Sequence, residues 1–128
     1  MSRSAEPLSQ AMALLEKLEP DAPLRVRANL DAFSPDAAEL VLGYAFTDIV
    51  SRDGIDLRTR EMLTVGMLAA MGTAQAQLEF HMRGAMNTGV TREEIVEIVL
   101  QVSVYAGVPA CMNAIAAAKQ AFQAAAEG

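Results

Sequence analysis

Two stretches of this 128-residue chain, "EMLTVGMLAAM" (residues 61–71) and "EIVEIVLQVSVYAGV" (residues 94–108), read as helices with almost no polar face. A helix that is apolar on every side must be surrounded, either at the centre of a bundle or in a subunit interface. A single domain of this length has few places to surround two of them. The pattern therefore predicts an all-α fold that self-associates, with neighbouring subunits covering what one chain leaves open.

Breaker residues divide the rest into further helices. Leu8, Met12 and Leu15 have helical spacing in a piece from about Pro7 to Leu18, which "EPDAP" stops. A shorter piece runs from Leu24 to Phe33. Ser34 with Pro35 then predicts an N-cap and first helical position, opening a helix to about Val50 that ends at "RDG". Asp56 is expected to cap a helix reaching Met71, closed by Gly72. Another is expected from about Ala74 to Asn87, with Gly89 marking its end. Thr91 and Glu94 have capping-box spacing at the head of a helix through Tyr105, and Pro109 starts a last one through about Ala126. No segment alternates with period two long enough to predict a strand. The reading is a six- or seven-helix bundle, a single domain over residues 1–128 with no internal repeat.

Charge and composition remove several function classes. A net charge of −6 argues against nucleic-acid and anionic-membrane partners, both of which need a basic surface. No run approaches the roughly 18 apolar residues of a spanning helix. The start "MSRSAEPLSQ" lacks the apolar core of a signal peptide, and the single Cys111 suits a reducing compartment, so the expected location is cytoplasmic. The lone thiol also lacks the C-x-x-C partner of a dithiol redox centre. With one histidine and no His/Cys cluster, zinc is not expected, and no Gly-rich phosphate loop is present.

What remains is acid/base chemistry at His81, the only histidine, set in the apolar run "QLEFHMRGAMNTGV". If the helices before and after Gly72 pair antiparallel, position 64 lies level with position 81, and Glu61 is about 4.5 Å further along the axis. Glu61 can then reach His81. A carboxylate on an imidazole fixes its tautomer and prepares it as a general acid or base. The plainer alternative is a hydrogen-bonded structural histidine. By the same default, Arg58, Arg60 and Arg83 are solvated or paired with Glu61, Glu79 or Glu94, Tyr105 is core, and Cys111 is a small apolar helix residue.

The stretches "RTREMLTVGMLAAMG" and "LEFHMRGAMNTGVTREEIVEIVLQVSVYAGVPACMNAI" resemble the carboxymuconolactone decarboxylase family over about residues 35 to 122. That resemblance implies an oligomeric all-helical fold of the alkylhydroperoxidase D-like type, a trimer or hexamer. It also implies cofactor-free decarboxylation of 4-carboxymuconolactone to the 3-oxoadipate enol-lactone in aromatic catabolism. The peroxidase branch of the superfamily carries a C-x-x-C, an upstream glutamate and a histidine. Glu61 and His81 match the last two, but "GTAQAQ" stands where the cysteines belong, which disfavours peroxidase chemistry. Name-giving members resemble "LLHxSxYAG" where this chain reads "VLQVSVYAG", so Gln101 replaces their histidine.

In the mechanism the resemblance implies, His81 held by Glu61 donates the proton, and Arg60 or Arg83 holds a substrate carboxylate. Arg83, two residues from His81, points roughly the opposite way around the helix, which ranks Arg60 first. Gln101 and Tyr105, four apart, share a helix face that is expected to line the substrate pocket. Two alternatives stay open: a relative acting on another small carbonyl or lactone compound, as in secondary metabolism, and a non-catalytic binding oligomer.

Overall fold

The structure, a computed structural model, describes residues 8–127. Among them every regular element is helical: α1 (Ser9–Leu18), α2 (Ala22–Phe33), α3 (Ala37–Leu42), α4 (Leu57–Met71), α5 (Gln75–Asn87), α6 (Arg92–Ala106) and α7 (Val108–Glu127). A π-helical stretch, Gly43–Val50, continues α3. The chain divides into two compact units, one through Leu57 and one from Arg58 onward.

In the first unit, α1 carries Ala11, Leu14, Leu15 and Leu18 at helical spacing, and all four are buried. The start predicted at Pro7 lies outside the described residues. Ala37, Ala38 and Leu42 of α3 are buried too. The amide of Ala11 donates to the Thr47 hydroxyl at 3.1 Å, tying α1 to the π-helical stretch. By contrast α2 buries only Ala22 and leaves Leu24 and Phe33 more than three-quarters exposed.

Three expectations fail here. Helix α2 begins inside "EPDAP", at Ala22, because Pro23 falls in its first turn, where a missing N–H costs nothing. Ser34 is not an N-cap; it is the extended C-cap of α2, and its hydroxyl donates to the Asp36 carboxylate at 2.8 Å. Helix α3 consequently starts at Ala37, and the single helix expected as far as Val50 changes to π geometry at Gly43.

The second unit is built around α7, which packs on α5 and α6. Ala110, Ala114, Ala117, Ala118 and Ala121 form its buried stripe, and side chains this short let helix axes approach closely. Val65, Ala69, Leu78, Met82, Ile95 and Val99 complete the core with buried Cys111. Thr91 and Glu94 do form the capping box, with Glu94 N to Thr91 Oγ1 at 3.0 Å and Thr91 N to Glu94 Oε1 at 2.9 Å. Gly72 ends α4 at φ 72°, a left-handed conformation in which glycine carries no penalty. Arg58 bridges the start of α4 to the α5–α6 turn: Nε donates to the Gly89 carbonyl at 3.2 Å, and Nη2 pairs with Glu94.

Candidate active site

The Glu61–His81 contact follows from two helices and one turn. Gly72 reverses the chain, so α4 and α5 bring positions 61 and 81 together. His81 Nδ1 lies 2.8 Å from Glu61 Oε1. An ionised carboxylate can only accept, so Nδ1 carries the hydrogen and Nε2 is left for other partners. The edge of the Phe80 ring meets the imidazole, with centroids 4.9 Å apart and planes at 74°.

Burial makes the pair unequal. The Glu61 side chain is 1% exposed and that of His81 12%, so only the imidazole can meet a solute. Glu61 Oε2 is buried with no hydrogen-bond partner. A polar atom in that position is costly, and it leaves His81 as the carboxylate's one donor. What the arrangement can do chemically is hold an imidazole in one tautomer and one orientation, with Nε2 at the accessible edge.

The other residues singled out in the sequence are spread over two faces. Arg60 precedes Glu61 on α4, half-buried, its carbonyl accepting the Thr64 hydroxyl at 2.9 Å. Arg83 is half-buried on α5, and neither arginine is free of contacts. Arg58 pairs with Glu94, as the default reading had it. Gln101 and Tyr105 line a different place: a groove of about 460 Å³ between α4 and α6, walled by Met62, Leu63, Met67, Ile98 and Val102. Tyr105 is not core but 85% exposed, because "AGVP" ends α6 just beyond it and leaves its ring at the helix end.

Helix α4 separates the two places. Thr59, Leu63, Gly66 and Ala70 repeat at helical spacing along the groove, whereas Glu61, Val65 and Ala69 form the buried stripe on another face. His81 is not among the groove's lining residues. Sequence reasoning missed the groove wall on α4, although the interleaved repeats at 59/63/66/70 and 61/65/69 were the available signal. A Cβ on Gly66 would stand an ordinary 3.7 Å from Ile98 Cγ2 across the groove. Among the described residues no three His, Cys, Asp or Glu side chains are grouped to hold a metal ion, and no helix is long and apolar enough to cross a membrane.

Comparison with known proteins places this helical scaffold. Residues 35–120 match the carboxymuconolactone decarboxylase family. The chain belongs to that family. Within the carboxymuconolactone decarboxylase family and its surroundings, three relatives stand out. Over 95 residues the chain is 35% identical to a 4-carboxymuconolactone decarboxylase of Acinetobacter baylyi, covering 74% of this chain and 70% of that protein. Over 87 residues it is 38% identical to a nitrosuccinic acid decarboxylase of Metarhizium robertsii, covering 68% of this chain and 60% of the fungal protein. An uncharacterized 15.0 kDa protein of Paracoccus denitrificans is 32% identical over 112 residues, 87% of this chain and 72% of its own length. This carboxymuconolactone decarboxylase family member thus resembles decarboxylases of two different acids about equally.

Proposed function

We propose that this protein is a cofactor-independent decarboxylase acting on a carboxylated lactone such as 4-carboxymuconolactone, in aromatic catabolism. The observation that carries the reading is the Glu61–His81 contact, a pre-oriented imidazole with an accessible Nε2. In such a substrate the C–CO₂ bond breaks and its electron pair moves into the conjugated lactone, building charge on the carbonyl oxygen. His81, as imidazolium, gives the Nε2 proton to carbon and is reprotonated from solvent. Glu61 stabilises the imidazolium and fixes its orientation. Arg60 holds a substrate carboxylate in preference to Arg83, since guanidinium and carboxylate match in bidentate geometry. Gln101 and Tyr105 contribute neutral hydrogen bonds to the bound acid.

The protein works as a homo-oligomer, a trimer or hexamer, in the cytoplasm, and its single domain spans the chain. Exposed Leu63, Met67, Val104 and Tyr105 on α4 and α6 support the association. Light scattering is expected to exceed the 13.6 kDa of one chain at micromolar concentration, and a monomer there refutes the oligomer.

A second reading is favoured by the nitrosuccinic acid decarboxylase relative and by Gln101, where name-giving members have histidine. The lactone carbonyl and the nitro group both accept the electron pair that CO₂ leaves behind. The same Glu61–His81 pair therefore serves either acid, and the substrate becomes a small carbonyl or nitro acid other than carboxymuconolactone. The decisive experiment measures CO₂ release from 4-carboxymuconolactone and from nitrosuccinate by wild type and His81→Ala. Loss of about 10²- to 10⁴-fold with an intact oligomer is expected, the usual range for a positioned acid/base. An equally active His81→Ala protein refutes the mechanism.

A further inference from the structure

We infer that the α4–α6 groove is itself a binding site, for a small uncharged aromatic compound with one neutral hydrogen-bonding group. The site stands whether or not the protein is a decarboxylase, since His81 does not line it. Its volume of about 460 Å³ lies within the ~300–1,000 Å³ of small-molecule sites.

The lining sets the chemistry of the occupant. Met62, Leu63, Met67, Ile98 and Val102 form the walls, and no residue that lines the groove is an acid, a base or a histidine. Arg58 Nη1 donates to the Met62 sulfur at 3.5 Å, but the guanidinium is paired with Glu94. A carboxylate laid among these walls loses its water and gains no cation, so the compound that fits is uncharged. Two thioethers and the Tyr105 ring favour an aromatic body, because sulfur makes good contacts with ring edges. Ile98 stands opposite Gly66, and Gln101 and Tyr105 follow it one and two turns on. They put two hydrogen-bonding groups toward one end of the groove. A side-chain amide and a phenol both donate and accept, so either meets a hydroxyl, a carbonyl or an N–H. An acid bonded to the same two residues, as proposed above, competes with this compound.

Gly66 keeps the room open. It lies in the interior of α4, where glycine is less stable than alanine. Its backbone is helical, and a Cβ there would meet only Ile98 Cγ2, at an ordinary distance. Neither the course of the chain nor the packing within it calls for glycine; a side chain would simply take space from the groove. A second copy is the rival occupant. A recess of this volume is roughly 8 Å across (its cube root), whereas a standard interface covers ~800 Å² per partner. Association through exposed residues at the rim leaves the recess to a small molecule.

Two fluorescent probes that share an anilinonaphthalene body test this: uncharged N-phenyl-1-naphthylamine and the anion 8-anilinonaphthalene-1-sulfonate. Titration of the purified protein is expected to show one uncharged probe per chain, with the sulfonate roughly tenfold weaker or worse. Gly66→Leu and Ala70→Leu each fill the groove from α4, while Ala124→Leu adds the same side chain at an exposed position of α7. The first two are expected to weaken the uncharged probe by roughly tenfold or more, and Ala124→Leu to leave it unchanged. Ala70 is exposed, so its variant reads the groove even if Gly66→Leu does not fold. Equal affinity for the two probes, no saturable binding, or no selective loss in Ala70→Leu overturns the inference. Groove variants that dissociate the oligomer in light scattering overturn it too, for the groove then belongs to a second copy.

Discussion

Arg58 and Glu94 join the first turn of α4 to the first turn of α6, and Glu94 caps α6 at the same time. The backbone amide of Thr91, and after it the Arg58 guanidinium, hold the Glu94 carboxyl below the ordinary glutamate range. A carboxylate depressed on folding adds stability that is fully present above its unfolded pKa, about 4.3, and is lost as pH falls through the lower folded value. Glu94→Gln is therefore expected to lower the melting temperature at pH 7 and to make no difference at about pH 2. Thermal unfolding of both proteins across that range checks it; a gap that persists in acid contradicts the electrostatic assignment.

Gly107 joins α6 to α7 at φ 96° and ψ 165°, a conformation essentially confined to glycine. A Cβ there would meet Pro109 Cδ at an ordinary 3.7 Å, so the obstacle is backbone conformation and not space. Gly107→Ala is expected to cost of order 1–3 kcal/mol. Urea unfolding reads it directly, and an unchanged midpoint would show that the turn relaxes without strain.

Gln101 decides between the two substrates. A histidine at this position can carry charge toward a second carboxylate, whereas an amide can only hydrogen-bond. On the second reading, wild type is expected to be slow on 4-carboxymuconolactone, and Gln101→His to raise kcat/KM on it. Wild-type turnover of about 10⁴ M⁻¹s⁻¹ or more would restore the name-giving activity.

Hydroperoxide reduction is expected to be absent, or indifferent to Cys111→Ser. The thiol is buried among the alanines of α7 and has no second cysteine to resolve an oxidised sulfur. Robust peroxidase activity abolished by that substitution would reverse the conclusion.

Much of this arrangement was legible in the sequence because it is local. Thr91 and Glu94 sit three apart, Gly72 stands where a left-handed residue is needed, and Glu61 and His81 are related by one turn between two helices. What escaped was decided by competition between nearly equal choices. Ser34 can open one helix or close another, and its bond to Asp36 goes with the closing role. The change to π geometry at Gly43 shifts hydrogen bonding by a single residue, and "YAFTDIV" suits either period. On α4 the repeats 59/63/66/70 and 61/65/69 mark two sides, but both are largely apolar, so which one faces the groove and which the core is settled only by packing.

The π-helical stretch has a further consequence for comparing this chain with its relatives. A turn that bonds five residues back stores one more residue than an α turn over the same hydrogen-bonded loop. Relatives that are α-helical throughout Gly43–Val50 would then differ from this chain by a single position inside a helix, with no loop to absorb it. An alignment that moves that gap outward to a surface loop would slide every intervening residue by one, Thr47 included, and misassign its partner, the Ala11 amide.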